Sequence, residues 1–295
     1  MIPPNAGPQS PYHFFTVDVE EYFQVSAFAR IVPVEYWNAY PRRLDRTMPV
    51  LLESLARASA KATFFVLGWV AKHDPHIVKR IRADGHEIAS HGFWHRRVSS
   101  ESPSAFRDDV RAAKQTLEDL TGAAVLGYRA PSFSILRGSE WAFDVLLAEG
   151  YTYDSSLFPI RRPGYGYPGA PSVPHTITRQ NGTLMEFPLA TLSIGGVKFP
   201  AAGGAYLRHF PLAFVRRAFA AASERGEPAT FYMHPWEIDP GQPRVPVNVV
   251  THLRHYGGLA HTLARVERLL AEFRFTSIAS ALSPAQVTMA SLVRQ

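Results

Sequence analysis

Residues 85–95 read GHEIASHGFWH, a short apolar strand pattern that runs into two histidines. If the chain turns helically after Ser90, His91 and His95 fall on one face, close enough to bind one metal ion. Two imidazoles do not complete a hydrolytic metal site, because such a site has three protein ligands and an open position. A histidine pair is weak evidence by itself, so the rest of the chain must supply the third ligand, an acid and a base.

Strand and helix patterns alternate around this stretch. Strand patterns lie at 13–19, 62–67 and 86–90, with helix patterns between them at 42–60 and 75–81. This order favours a parallel sheet with right-handed crossovers. Further strand patterns follow at 125–128, 151–153, 184–189, 192–199, 229–233 and 275–278, and further helix patterns at 102–120, 139–150, 211–224 and 261–273. Prolines and glycines predict a long loop at 158–182, a tight turn at 201–206 and a Pro-rich loop after 237.

The chain shows no internal repeat and no linker, so we predict one barrel-like α/β domain over residues 1–295. Its core is expected at about 13–280, with peripheral segments at 1–12 and 283–295. The composition, 46% hydrophobic and 19% charged, is typical of a globular protein. The absence of cysteine excludes disulfides and thiolate metal sites, which leaves His, Asp and Glu as metal ligands.

Composition and charge also limit the partners and the location. The N-terminus lacks a basic stretch followed by an apolar one, and no run of about 18 apolar residues occurs. We therefore expect a cytoplasmic protein without an integral membrane segment. The net charge of +6 comes without a dense Lys/Arg run or a nucleic-acid-binding motif, so no nucleic-acid partner is expected. The sequence makes no prediction of the oligomeric state.

Polar side chains follow several of the predicted strands. Asp18 and Glu20 end the first strand, Arg129 follows the strand pattern at 125–128, Asp154 follows the one at 151–153, and His234 follows the one at 229–233. In parallel α/β folds the carboxyl ends of the strands are where catalytic groups gather. Solvated carboxylates at strand ends are the alternative interpretation of the first cluster.

Four short motifs occur in a fixed order, TVDVE (16–20), SHGFWH (90–95), RAPSF (129–133) and FYMHP (231–235). In this order the chain resembles the polysaccharide deacetylase family (NodB homology, carbohydrate esterase family 4). More narrowly, it is similar to the branch associated with exosortase/PEP-CTERM exopolysaccharide loci. The resemblance implies a distorted (β/α) barrel of about seven strands that uses a divalent metal to hydrolyse an N-acetyl amide, and we predict that this metal is Zn²⁺.

The resemblance also implies roles for individual residues. His91 and His95 would be metal ligands, and His234 would be the general acid that protonates the leaving amine. Arg129 would lie beside the base carboxylate and orient it; a surface ion pair is the alternative. Asp154, which fits its motif loosely, would orient His234 or contact sugar hydroxyls, although a turn cap is an equal alternative.

The first motif departs from the family pattern of two adjacent aspartates, because Val19 stands where the second, metal-binding aspartate would be. Side chains alternate along a strand, so Asp18 and Glu20 point to the same side. We therefore predict Asp18 as the base and Glu20 as the third ligand, provided that the strand curls at its end. Two alternatives stay open: Asp18 as the ligand with Glu20 or Glu21 as the base, or a site that binds metal weakly or not at all.

Three functions are compatible with these residues. The leading one is removal of N-acetyl groups from N-acetylhexosamine units of a polysaccharide or its lipid-linked precursor, in exopolysaccharide biosynthesis. The second is hydrolysis of a small cyclic amide or ureide by the same groups. The third is a non-catalytic glycan-binding protein that has lost a metal ligand at position 19.

Overall fold

The structure is a computed structural model that describes residues 11–162 and 164–282. Most of the predicted peripheral segments, 1–10 and 283–295, lie outside these ranges. The strands are β1 (His13–Val19), β2 (Thr63–Val66), β3 (Glu87–Ser90), β4 (Gly127–Tyr128), β5 (Tyr153–Asp154), β6 (His175–Arg179), β7 (Gly182–Glu186), β8 (Thr191–Ile194), β9 (Val197–Pro200), β10 (Thr230–Met233) and β11 (Phe275–Thr276). The helices are α1 (Leu44–Arg57), α2 (Gly68–His73), α3 (Pro75–Ala83), α4 (Pro103–Thr121), α5 (Trp141–Ala148), α6 (Ala205–His209), α7 (Leu212–Glu224), α8 (Val249–Tyr256) and α9 (Leu259–Glu272).

The main sheet is largely parallel and curled. Its strand order is β10-β1-β2-β3-β4-β5-β7-β6, with β11 also paired to β1. In the described ranges each neighbouring pair from β10 to β7 is parallel, and only β6 runs antiparallel, beside β7. After β7 the chain returns to β10, where Leu189 forms a bridge with Thr230. The predicted α/β class and distorted barrel are confirmed.

The two faces of β1 show how the alternating sequence builds the interior. Phe15, Val17 and Val19 belong to the main apolar core, which the helices cover. Phe14, on the opposite face, packs in a smaller cluster inside the curled sheet with Phe65 and other residues. Because side chains alternate along a strand, Asp18 shares the inner face with Phe14 and reaches the interior at the carboxyl end of β1.

The amino end of the interior is closed by a saturated polar cluster. The Tyr153 hydroxyl donates to Glu87 Oε1 (2.7 Å), and Glu87 Oε2 accepts from Thr63 Oγ1 (2.5 Å) and the Ala279 amide (2.8 Å). The Tyr153 ring requires glycine at position 127, since a Cβ there would lie 1.8 Å from Tyr153 Cζ. The polar groups of this cluster are therefore satisfied by one another, and the cleft of the described chain lies at the strand carboxyl ends.

Several short elements differ from the sequence prediction, and the single strand predicted at 192–199 is a hairpin of β8 and β9. The predicted loop at 158–182 contains β6, the predicted turn at 201–206 runs into α6, and the Pro-rich loop after 237 contains α8. Helix α2 follows Gly68, where only the end of a strand was predicted. These elements are too short for a clear local period, and β6 is defined by its pairing with β7. Of the helices in the described ranges, none has the length and apolarity needed to span a membrane.

Candidate active site

His91 and His95 lie in an irregular loop after β3, so the helical premise for their proximity was wrong. Gly92 has φ +76° and His95 has φ +53°, both outside the right-handed helical region. The loop nevertheless brings the two imidazoles together, with ring centroids 5.3 Å apart. Both side chains are buried.

The loop that contains His91 and His95 (residues 91–95, the histidine loop) is hydrogen-bonded from two sides. The Asp109 carboxylate, on α4, accepts from the Phe93 amide (2.8 Å) and the Trp94 amide (3.1 Å). On the other side, the Gly68 amide at the start of α2 donates to the Gly92 carbonyl (2.9 Å). Position 92 must be glycine for two reasons: its φ is positive, and a Cβ would lie 2.7 Å from Asp109 Oδ2.

The sequence prediction missed Asp109, although a signal was present. Asp109 lies on the buried face of α4, whose other buried residues are Phe106, Val110, Ala113 and Leu117. A carboxylate in an apolar stripe is unusual unless it has hydrogen-bond donors to satisfy it. Here the donors are the backbone amides that shape the histidine loop.

Glu20 reaches the histidines because β1 curls at its end. The Glu20 amide donates to the Asp18 carbonyl (3.1 Å), which ends the strand at Val19. Glu20 Oε2 lies 2.6 Å from His95 Nε2. Each of Glu20, His91 and His95 offers one potential metal-ligand atom, and these three atoms lie within 4.8 Å of one another. This arrangement could hold a metal ion.

The chemistry of these three residues fits a divalent metal. His91 Nδ1 lies 2.8 Å from the Arg129 carbonyl; donation there leaves the Nε2 lone pair for a metal. Burial lowers the pKa of His91 to about 4, which keeps the imidazole neutral. Glu20 Oε2 is buried beside His95 Nε2 and meets no other polar partner among the described residues, so a cation held jointly with the imidazole would satisfy it. Two imidazoles and one carboxylate form a typical catalytic zinc ligand set.

The Asp18 carboxylate pairs with Arg129, whereas the Glu20 carboxylate lies against His95. Arg129 Nη1 donates to Asp18 Oδ1 (2.8 Å) and to Thr16 Oγ1 (2.7 Å). The same guanidinium donates to the Ser155 carbonyl (3.0 Å) and hydroxyl (2.7 Å), and its Cζ lies 4.1 Å from the centroid of the Phe65 ring. Arg129 is fully buried, so this pair is not the surface ion pair considered above. These contacts fix the orientation of the Asp18 carboxylate, and Glu20 is the first-strand carboxylate that contacts His95.

His234, after β10, faces both first-strand carboxylates. Its Nε2 lies 3.6 Å from Glu20 Oε1 and 3.9 Å from Asp18 Oδ2, and its side chain is 18% exposed. Burial lowers the pKa of His234, but the carboxylates of Glu20, Glu237 and Asp18 outweigh it and raise the pKa to about 9. His234 is therefore protonated at neutral pH in the metal-free site, as a proton donor must be.

Glu237 and Arg208 were not predicted, yet they position His234. Glu237 Oε2 accepts from the His234 amide (3.0 Å) and lies 3.3 Å from His234 Nδ1, while Glu237 Oε1 accepts from Arg208 Nε (2.8 Å). Burial raises the pKa of Glu237, but Arg208 and His234 lower it to about 2. Glu237 could have been found from its position three residues after His234, the spacing of a capping box. Arg208 has no such local signal.

Asp154 does not lie against His234, and the prediction that it orients this histidine is wrong. Its carboxylate accepts from the Ser156 amide (3.0 Å) and hydroxyl (2.6 Å), which makes it the turn cap considered as the alternative. Burial raises the pKa of Asp154. Burial also raises the pKa of the neighbouring Glu186, and the negative charge of Asp154 raises it further.

These groups open onto a cleft of about 410 Å³. Its floor contains Asp18, Glu20, His91, His95 and His234, and Asp154 and Arg129 are not among its lining residues. Its outer walls come from the segments at 25–27, 132–133, 164–165, 205–206 and 250–255. The site thus combines a metal ligand set, a carboxylate and a protonated imidazole in one opening large enough for a sugar.

Two family models match consecutive parts of the chain. Residues 38–144 match the model described as polysaccharide deacetylase, and residues 155–283 match one described as a domain of unknown function (DUF3473). A peptidoglycan-N-acetylglucosamine deacetylase of Bacillus cereus is 28% identical over 140 residues, 43% of this chain and 50% of the relative. The chain thus spans about half the length of that relative.

Solved structures share the fold. A presumed polysaccharide deacetylase from Mycobacterium smegmatis aligns with a TM-score of 0.61 and 19% identity, over 99% of this chain and 93% of that one. Puue allantoinase aligns with a TM-score of 0.63 and 14% identity, over 97% of this chain and 91% of that one. At these identities the two structures support the NodB-type barrel and no more. Residues 38–144 thus match the polysaccharide deacetylase family model, and the described chain has the NodB-type barrel seen in solved structures of carbohydrate esterase family 4.

Proposed function

We propose that the protein is a metal-dependent hydrolase that removes N-acetyl groups from N-acetylhexosamine units of a glycan. One observation carries the proposal: Glu20, His91 and His95 converge within 4.8 Å, and His234 lies 3.6 Å from the Glu20 carboxylate. Amide hydrolysis needs an activated water, a base and an acid at one point, and the described residues supply candidates for each. The deacetylase named in Bacillus cereus supports an N-acetylated sugar as the substrate class.

The roles of the side chains follow from their contacts. A metal bound by Glu20 and the histidines would polarise the amide carbonyl and lower the pKa of water. Asp18, aimed by Arg129, takes a proton from the water whose oxygen bonds to the acyl carbon. His234 gives a proton to the nitrogen as the C–N bond breaks. The products are acetate and a free amine on the sugar.

The metal and the glycan can be proposed more narrowly. We propose Zn²⁺, because a set of two imidazoles and one carboxylate with an open position is typical of catalytic zinc. We also propose that the substrate is an exopolysaccharide or its lipid-linked precursor. The motif order at 16–20, 90–95, 129–133 and 231–235 supports this assignment.

The test is acetate release from N-acetylglucosamine oligomers by Zn²⁺-loaded protein. We expect activity that disappears with a chelator and with His91→Ala, and that persists in His261→Ala, a matched substitution of an exposed histidine. Metal content should be measured in the same samples. A zinc-replete protein that releases no acetate from any N-acetylated glycan would contradict the proposal, as would faster turnover of small cyclic amides or ureides.

A further inference from the structure

Arg97, just after the histidine loop, is a cation in the cleft wall that has no carboxylate partner among the described residues. It is half-buried, lines the cleft, and its guanidinium donates to the Gly164 carbonyl. Burial lowers the pKa of Arg97, and no carboxylate of the described chain offsets this. The neighbouring Arg96, in contrast, lies 3.5 Å from Glu101 and points to solvent. Arg97 is thus held in the cleft by a backbone contact that leaves most of its donors free.

A second arginine, also without a carboxylate partner among the described residues, lies near the same loop. Arg254, on α8, also lines the cleft, and its Cζ lies 5.9 Å from the centroid of the Tyr165 ring. Tyr165 directly follows the Gly164 that Arg97 contacts, and its hydroxyl is hydrogen-bonded to that of Tyr206.

The acidic groups of the cleft cannot neutralise these arginines. Of its lining residues, Asp18, Glu20 and Glu237 are the carboxylates, and each belongs to the network around the metal ligands and His234. The cleft is therefore divided by charge, with acids on the floor and unpaired arginines at the outer wall. Arg97 is half-buried, and a partly desolvated cation is unfavourable unless an anion pairs with it, while the exposed Arg254 adds a second positive charge near the same loop.

We infer that the wall formed by Arg97 and Arg254 is an anion-binding subsite, which takes a carboxylate or phosphate group carried by the substrate next to the N-acetylated sugar. Guanidinium groups bind carboxylate and phosphate oxygens with paired, charge-assisted hydrogen bonds. The Tyr165–Tyr206 pair between them offers ring faces on which a sugar can stack. This inference rests on the proposed deacetylation, for which it names an acidic glycan or a sugar phosphate as the substrate class.

The test compares three N-acetylated oligomers of equal length: a neutral N-acetylglucosamine oligomer, an oligomer that contains a uronic acid, and the 1-phosphate of the neutral oligomer. We expect a lower KM for at least one anionic substrate, and its identity distinguishes carboxylate from phosphate. In Arg97→Gln and Arg254→Gln the ratio of anionic to neutral KM should rise about tenfold or more, the effect of losing a hydrogen bond to a charged group. Arg96→Gln, the matched control, should leave this ratio unchanged.

A binding measurement separates this inference from the proposed activity. Calorimetry on metal-free protein should show that the uronic-acid oligomer or the sugar phosphate binds more tightly than the neutral oligomer, and that salt or Arg97→Gln removes the difference. If acetate is released from all three substrates with equal KM, the subsite is refuted and the deacetylase activity stands. If the anion binds through the arginines but no acetate is ever released, the subsite stands and the proposed activity fails.

Discussion

Each end of the curled sheet buries a glutamate, and the two differ in how their oxygens are satisfied. At the amino end, both oxygens of Glu87 accept hydrogen bonds, from Tyr153 and Thr63 among others. At the carboxyl end, Glu20 Oε1 accepts from Trp236 Nε1 (3.2 Å), whereas Glu20 Oε2 faces an imidazole nitrogen, His95 Nε2, at 2.6 Å. Both side chains are largely removed from solvent, so burial alone does not explain the difference.

The two carboxylates respond oppositely to their surroundings. Burial raises the pKa of Glu87, and its hydrogen bonds offset this only in part. Burial also raises the pKa of Glu20, but the charges of His95 and His234 outweigh it and lower the pKa to about 2. A buried carboxylate whose two oxygens both accept hydrogen bonds, such as Glu87, has a role in the fold. A buried carboxylate with an oxygen beside imidazole nitrogens, such as Glu20, is suited to bind a cation.

The largest expected effect comes from exchanging each glutamate for glutamine. Loss of residues that merely orient metal ligands costs about 10–100-fold in metal affinity or activity, so Glu20→Gln should cost more. We expect it to lose stoichiometric zinc and to reduce kcat/KM to background. Glu87→Gln should keep its zinc, because it lies at the other end of the sheet. Metal analysis and acetate assays on both variants check this.

The same two variants also test whether Glu87 contributes to stability and Glu20 to metal binding. Glu87→Gln places an amide donor among existing donors, so it should lower the free energy of unfolding by about 1–3 kcal/mol. Thermal melts therefore accompany the metal analysis. If Glu20→Gln retained its zinc, Glu20 would not be the third ligand.

Asp18→Asn is expected to have the next largest effect and to separate the two first-strand carboxylates. A base contributes about 10²–10⁴-fold to rate, so kcat should fall by that range while bound zinc remains. The physical reason is that Asp18 is paired with Arg129 and stands apart from the ligand set. The measurement is kcat together with zinc content. Loss of zinc would instead make Asp18 the ligand.

Glu237→Gln should have a smaller effect, seen in the pH profile. A general acid is active while protonated, so activity is lost as pH rises through the His234 pKa. Glu237 helps to raise that pKa, and removing its charge should move the basic limb of kcat/KM to lower pH. Glu224→Gln, an exposed change on α7, is the control. An unmoved basic limb would exclude Glu237 as the positioning residue.

The smallest expected effect is on stability in metal-free protein, where the two glutamates should show opposite pH dependence. Glu20 has a lowered pKa, so its contribution is present above about pH 4.5 and is lost as pH falls towards 2. Glu87 has a raised pKa, so its contribution is present below 4.5 and is lost as pH rises through its higher native value. Denaturant unfolding of wild type, Glu20→Gln and Glu87→Gln across pH checks both signs. If the two variants changed the pH dependence of the unfolding free energy in the same direction, the predicted difference between Glu20 and Glu87 would be wrong.

Much of the fold could be predicted from local patterns. The β1 bounds, 13–19, coincide with the strand pattern, and β2, β3 and β10 lie within theirs. Because parallel strands end at the same edge, the sequence also predicts which polar residues meet there. The short elements β6, α2, α6 and α8 were missed because their conformations depend on neighbours distant in sequence.

The sequence by itself determined the set of chemical groups: two histidines, two first-strand carboxylates, an arginine and a further histidine at strand ends. Only the tertiary structure decided how they are shared. Arg129 pairs with Asp18 across 111 positions of sequence, which leaves Glu20 for the histidines. Asp109 shapes the histidine loop, and Arg208 reaches Glu237 across 29 positions. Local periodicity reports which face a side chain takes, whereas its partner is chosen by packing between distant segments.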